Sequence, residues 1–308
     1  MIDGVIWVFQ NIGLSVVNLF SVLAQPGLWL DWSNKESLAR FIYYGGSVEF
    51  FFVVFTTFLG ITLAGWFSRR FLWAIVRGLE GFANGLGRVV AWVGLIMVLQ
   101  QIVIIFLQRI FRVATIEFGP FAPFGYPLLD GPAFAKDLSW WSEELKLWNA
   151  MIVCLCVTYT FVQGGHVRVD LVYARVSFRV KKMIDMFGAV FFMMSGAVLT
   201  WLFAWYFLWR SLVTPKFSAA DSLQQTLAKS RALRWTVETI GFSPNGFDAY
   251  FLFKILMVSF CGLVFLHACA VFWRSWLELR EGPESENRYL DRDNPGEQST
   301  DGLPKPSH

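Results

Sequence analysis

Trp140-Trp141-Ser142-Glu143-Glu144, an apolar run from Leu147 to Val162, and then Gly164-Gly165-His166-Val167-Arg168-Val169-Asp170-Leu171: this stretch decides the fold class. Crossing the hydrocarbon core of a bilayer takes about 20 residues in a helix. Segment 145–162 is short for that task, so Trp140, Trp141 and Trp148 are read as interfacial anchors that extend it. Glu143 and Glu144 stand where the helix is expected to begin, and carboxylates there interact favourably with the positive end of the helix dipole. Two glycines then break the span, and a charged segment follows it.

Composition agrees. The 308 residues are 56% hydrophobic and 16% charged, with 15 tryptophans, against about 25% charged in soluble domains. With a mean hydropathy of +0.49, the chain has room for several spans but not for a large soluble domain beside them. A net charge of +3 is too mild to indicate nucleic acid. Cys154, Cys156, Cys261 and Cys269 all lie in apolar segments, where cysteine behaves as a small hydrophobe.

Five stretches are long enough to span: 48–67, 89–111, 145–162, 183–209 and 250–273. Segments 68–88 and 163–182 carry the arginine excess, with Arg69, Arg70, Arg77 and Arg88 in one and Arg168, Arg175 and Arg179 in the other. The positive-inside rule places both in the cytoplasm, and alternation then puts 24–47, 112–142 and 210–249 outside. Residues 1–24 gather Asp3, Gln10, Asn11, Ser15, Asn18 and Ser21 on one arc of a helical wheel. They are read as a sixth span in preference to a helix lying in the interface, and the missing basic n-region argues against a cleaved signal peptide. Segment 222–240 reads as an amphipathic helix capped by Asp221 or Ser222, and the polar tail 279–308 as disordered.

Polar residues inside spans are expected to bond across helices; Gln100, Gln101 and Asn149 are read in this way, and His267 as a packing histidine. His166, Arg168 and Asp170 alternate with apolar residues, which gives a two-faced strand or, as a helix, a His166–Asp170 pair. Neither form makes a metal site. The sequence has no phosphate-binding loop, no H-E-x-x-H and no G-x-S-x-G, and no pair of broken hydrophobic segments repeats between two halves. No catalytic residue and no cofactor is assigned, and the chain is read as a helical membrane protein that is not an enzyme.

The pairing of W-S-E-E with H-V-R-V-D-L resembles the small membrane subunit (DctQ-like) of tripartite ATP-independent periplasmic, or TRAP, transporters. There W-x-E-E opens the second of four core helices, and H-I/V-R-V-D follows it on the cytoplasmic side. The likeness continues through Arg175-Val176-Ser177-Phe178-Arg179, Ile184-Asp185 and Phe207-Leu208-Trp209-Arg210-Ser211. It implies an all-α polytopic membrane protein with a four-helix core plus one or two extra N-terminal helices. The expected division is an extension over 1–85, the membrane domain over 86–278 and a tail over 279–308. The implied partners are a large permease subunit, a periplasmic solute-binding protein and membrane lipid, in a bacterial inner membrane. The implied role is to scaffold ion-coupled uptake of an organic acid or similar solute. Trp141, Glu143, Glu144, His166, Arg168 and Asp170 become the expected contacts with the partner subunit. The alternative class is a redox anchor carrying haem, which a Soret band would reveal. The sequence departs from the family in its N-terminal extension, a longer loop before W-x-E-E, an insert near 218–241 and a long tail.

The arginine bias yields a topology test. A single cysteine at Ser33 should react with a membrane-impermeant reagent on intact cells, and one at Ser68 should not. The reverse pattern would invert every loop assignment.

Overall fold

The computed structural model describes residues 2–118, 134–164, 175–216, 218–229, 232–233, 246–286 and 288–293. Six helical stretches in it are long and apolar enough to cross a membrane, so the all-α polytopic expectation holds. Helix α1 is Ile2–Ala24, α2 Gly27–Leu30, α3 Lys35–Gly45, α4 Val48–Phe67 and α5 Arg69–Ile105, with a π-helical turn Phe106–Ile110 prolonging α5. A hairpin of β1 (Thr115–Phe118) and β2 (Phe134–Asp137) leads into α6, Leu138–Val162. Helix α7 (Phe178–Gly188) runs through a π-helical stretch, Ala189–Met194, into α8, Ser195–Leu212. The two-residue ladder of β3 (Val213–Thr214) with β4 (Ala232–Leu233) encloses α9, Leu223–Ala228, and α10 is Phe251–Glu281. The end of the bundle holding β1 and β2 is called outer and that holding the last turns of α10 inner, following the arginine bias.

Helix α10 is the axis of the bundle. It packs against α5, α6, α7 and α8, and its buried residues come from all sides, from Leu256 and Val258 to Cys269, Trp273 and Leu277. A helix that is apolar all round belongs in the middle. Helix α1 packs on α4 and leaves most of its apolar surface exposed, while the Ser15 hydroxyl of its polar arc is buried and donates to Thr56 Oγ1 at 2.6 Å.

Helix α4 coincides with the expected span 48–67, but the preceding segment is not merely an outer loop. Helix α3 buries Ser37, Leu38, Ala39 and Ile42 and stacks end to end with α4 along α8. Phe41 meets Trp205 and Trp209, while Phe50, at the start of α4, meets Trp201. The join at Gly45-Gly46 is level with Gly262, midway along the apolar part of α10, because Trp201 touches both. A break at that depth leaves carbonyls without helical partners, which costs about 1–3 kcal/mol each if nothing replaces them. Two indoles supply the donors: Trp201 Nε1 to Gly45 O at 2.9 Å and Trp205 Nε1 to Ile42 O at 2.8 Å. Glycine is required at 45, since a Cβ there would overlap the Trp205 ring.

Segment 68–88, expected as a loop, is the first half of α5. Its glycines and arginines look like loop composition, yet Leu72, Trp73, Val76, Glu80, Ala83, Asn84 and Gly87 form one buried stripe at helical spacing. Burial of that stripe outweighs the helix cost of each glycine, about 1 kcal/mol. Arg69–Ile110 is 42 residues, or about 63 Å at 1.5 Å per residue, twice the hydrocarbon core. Its inner half therefore projects beyond the core. Gly87 lets α6 approach, as a Cβ there would overlap Tyr159.

Two further expectations change. The helix read over 222–240 is only α9, closed by a capping box in which Ser222 accepts from Gln225 N–H; at Lys229 the backbone turns extended and β4 follows. Residues 234–245 lie outside the described residues. The tail read as disordered from 279 continues α10 to Glu281, turns through Pro283–Ser285 and packs back on the bundle as far as Asp293.

Gly45→Ala should lower the melting temperature in detergent sharply, while Gly60→Ala, whose added Cβ meets nothing within 4 Å, should leave it unchanged or raise it. Trp205→Phe, which removes the donor to Ile42 O and also part of the packed ring, should cost at least about 1–3 kcal/mol.

Candidate partner-contact surface

Because α6 starts at Leu138 and not at 145, Glu143 and Glu144 sit in its second turn, where the dipole effect has largely faded. Leu138 N–H donates to Ala114 O at 3.0 Å, so the β hairpin fixes that early start. Both carboxylates are half-buried and turn into the chain. Glu143 Oε2 accepts from the Phe247 backbone N–H at 2.8 Å, tying α6 to the segment that enters α10. Glu144 Oε2 accepts from Gln100 Nε2 at 3.1 Å, and Gln100 Oε1 accepts from Trp148 Nε1 at 2.7 Å. Gln100 also reaches Trp141 O at 3.3 Å. One amide of α5 thus joins three residues of α6, the cross-helix role expected of it. Trp141 is half-buried, with its ring edge-on to Trp140 at 5.2 Å.

Asp248 completes this outer cluster. It accepts from Trp140 Nε1 at 3.1 Å and pairs with Lys136 at 3.4 Å. Partial burial pushes its carboxyl upward, but the Trp140 bond, its own backbone N–H and Lys136 outweigh that and hold it below the usual carboxylate range.

At the other end, Gly164 adopts φ +79° after the last turn of α6, the left-handed geometry that glycine permits. The span therefore breaks where the glycine pair is. His166, Arg168 and Asp170 lie outside the described residues.

Between these ends α6 packs on α5 and α10 and leaves one stripe uncovered: Ser142, Lys146, Asn149, Val153 and Thr160. Asn149 and Gln101 were expected to bond inside the bundle, but both are exposed; Gln100 occupies the α5–α6 seam instead. His267 is half-buried and stacks on Phe161 at 5.1 Å, as a packing histidine does.

Sequence reasoning missed the inner end. Arg274 on α10 grips Glu80 of α5 through both Nε, at 2.6 Å, and Nη2, and reaches Glu278 at 3.4 Å. Lys182 of α7 pairs with Glu278 at 2.7 Å and with Glu286 at 3.1 Å. Glu80 is 7% exposed and Glu278 2%. The available signals were the lone acid among the arginines of 68–88 and the Arg274–Glu278 spacing of four.

The six apolar helices and this packing define a multi-pass helical membrane protein. Residues 132–233, about a third of the chain, match the family described as "Tripartite ATP-independent periplasmic transporters, DctQ component". The matched segment holds all six expected contact residues, and the match bears out the resemblance read from W-S-E-E and H-V-R-V-D-L. Comparison with curated proteins and with solved structures gave no match.

Gln100→Leu should strand the Glu144 carboxylate and the Trp148 N–H and cost about 1–3 kcal/mol in thermal unfolding. For Asp248 the lowered value means its stabilisation is complete above the ordinary carboxylate range and is lost as pH falls through its own, lower value. Acid should therefore destabilise the native chain more than Asp248→Asn.

Proposed function

We propose that this chain is the small membrane subunit of a TRAP transporter, and that the free stripe of α6 is where the large permease subunit docks. The DctQ match supports the class; the exposure of Asn149 on that stripe carries the surface, since the Ser142 and Thr160 hydroxyls already donate to Leu138 O and Cys156 O of their own helix. Polar side chains within a span normally face protein or a cavity, because lipid offers them no partners. Lys146, near the outer end, is able to reach the headgroups, but Asn149 is too short to do so.

In this reading Trp141, Glu143 and Glu144 brace one end of the docking helix, and His166, Arg168 and Asp170 follow its other end. The carboxylates act by holding α6 against α5 and Phe247, so that the stripe is presented in a fixed register. Residues 86–278 form the membrane domain and 1–85 an added N-terminal part. The outer layer, in which α9 packs on α3, faces the binding protein. The complex then takes up an organic acid or similar solute across the inner membrane, coupled to an ion, with the solute bound by the other subunits.

Asn149→Leu should weaken co-purification with the large permease, and Asn149→Arg should abolish it, with the melting temperature of the isolated subunit unchanged. Reconstituted alone, the chain should give no ion-dependent uptake; with permease and binding protein it should. Uptake by the isolated chain would sink the scaffold reading.

A further inference from the structure

The described part of the C-terminal segment ends on a polar cradle where the inner end of α6 meets the middle of α5. Asn84, only 1% exposed, donates through Nδ2 to Asp291 O at 2.8 Å and lies 3.3 Å from Asp291 Oδ2. Gln163 reads the main chain on two sides: its Nε2 donates to Asp291 O at 3.1 Å, and its Oε1 accepts from Asp293 N–H at 2.9 Å. Gln163 Nε2 also bonds Asn84 Oδ1 at 3.1 Å, so the two amides orient each other. Arg88 supplies the positive charge, 3.1 Å from Asp291 Oδ2 and 2.6 Å from Asp293 Oδ1, and the Tyr159 hydroxyl donates to Asp293 Oδ2.

A buried amide is stable only with its partners in place, and here the acceptor for the Asn84 Nδ2 comes from a segment more than 200 positions away in sequence. A carboxamide that binds C=O of one residue and N–H of the second residue after it recognises a peptide, since a lone anion has no such pair. The arginine and the phenol recognise the two carboxylates, and their bonds hold the Asp293 carboxyl below its usual range.

We propose that Asn84, Arg88, Tyr159 and Gln163 form a binding site for an extended acidic peptide, occupied in cis by Asp291–Asp293, so that the tail clasps the inner end of α6 to the middle of α5. The clasp is charge-assisted and partly exposed, which makes it releasable by salt or by a competing acidic segment.

Hydrogen–deuterium exchange on the full-length protein tests this. Amides of 288–293 should be protected in the native chain and should exchange at least about tenfold faster in Arg88→Ala and Asn84→Ala. Exchange in the apolar part of α10 should stay unchanged as a check on folding. Arg88→Lys should retain part of the protection, Arg288→Ala nearly all of it, and 1 M salt should mimic Arg88→Ala. An unprotected native tail, or protection indifferent to both Arg88→Ala and Asn84→Ala, would overturn the proposal.

Discussion

Arg274 is the residue on which the inner half of the bundle depends. Its guanidinium forms a two-toothed contact with Glu80 and touches Glu278, which in turn is held by Lys182; two cations and three carboxylates, counting Glu286, link α5, α7, α10 and the turn beyond α10. Charges buried this deeply lose hydration, and Coulomb attraction repays that loss only when the geometry is good and few lone pairs are left over. Both conditions hold here, because the planar fork of arginine matches a carboxylate and the second glutamate is shared with a lysine. Such a network adds little net stability over an apolar core but penalises any other register of the three helices. Removing one member strands the others, so the helices are pinned together or not at all.

The same rule of pairing governs polar groups elsewhere in the molecule. Midway along α10, where α3 gives way to α4, the orphan carbonyls of the broken helix are met by indole N–H groups of Trp201 and Trp205. At the outer end Gln100 serves Glu144, Trp148 and the Trp141 carbonyl with one amide. Non-helical backbone and polar side chains at such depths are tolerated where protein satisfies them. Tryptophan suits the task because a single residue brings a large apolar body and one donor. Trp148 of α6 and Trp201 and Trp205 of α8 each serve in this way.

Much of this was legible in the sequence because apolar length is a strong signal. The span at 48–67 coincides with α4, and the glycine pair after 162 marks the end of α6. What could not be read were elements whose order comes from tertiary contacts. Segment 69–88 has the composition of a basic loop and becomes helix only because a stripe from Leu72 to Gly87 meets α4, α6 and α10. The tail is polar enough to look disordered, yet Asn84 and Gln163, far away in the chain, hold Asp291 and Asp293. The carboxylates of W-S-E-E were legible as a motif but not in their direction, since the helix start that turns them inward is set by the Ala114–Leu138 bond.

That direction matters for the scaffold role proposed above. A carboxylate pointing out of α6 would contribute its own attraction to a partner but would leave the helix free to rotate. Turned inward, Glu143 fixes α6 against the entrance to α10 and Glu144 fixes it against α5, so rotation about the helix axis breaks two charge-assisted bonds. The stripe on the opposite face then has one orientation before any partner arrives. In the proposed docking, a partner would not incur the ordering cost of a loosely held helix. On the proposed reading, this distinction between pinned and free faces separates a docking helix from an ordinary membrane span.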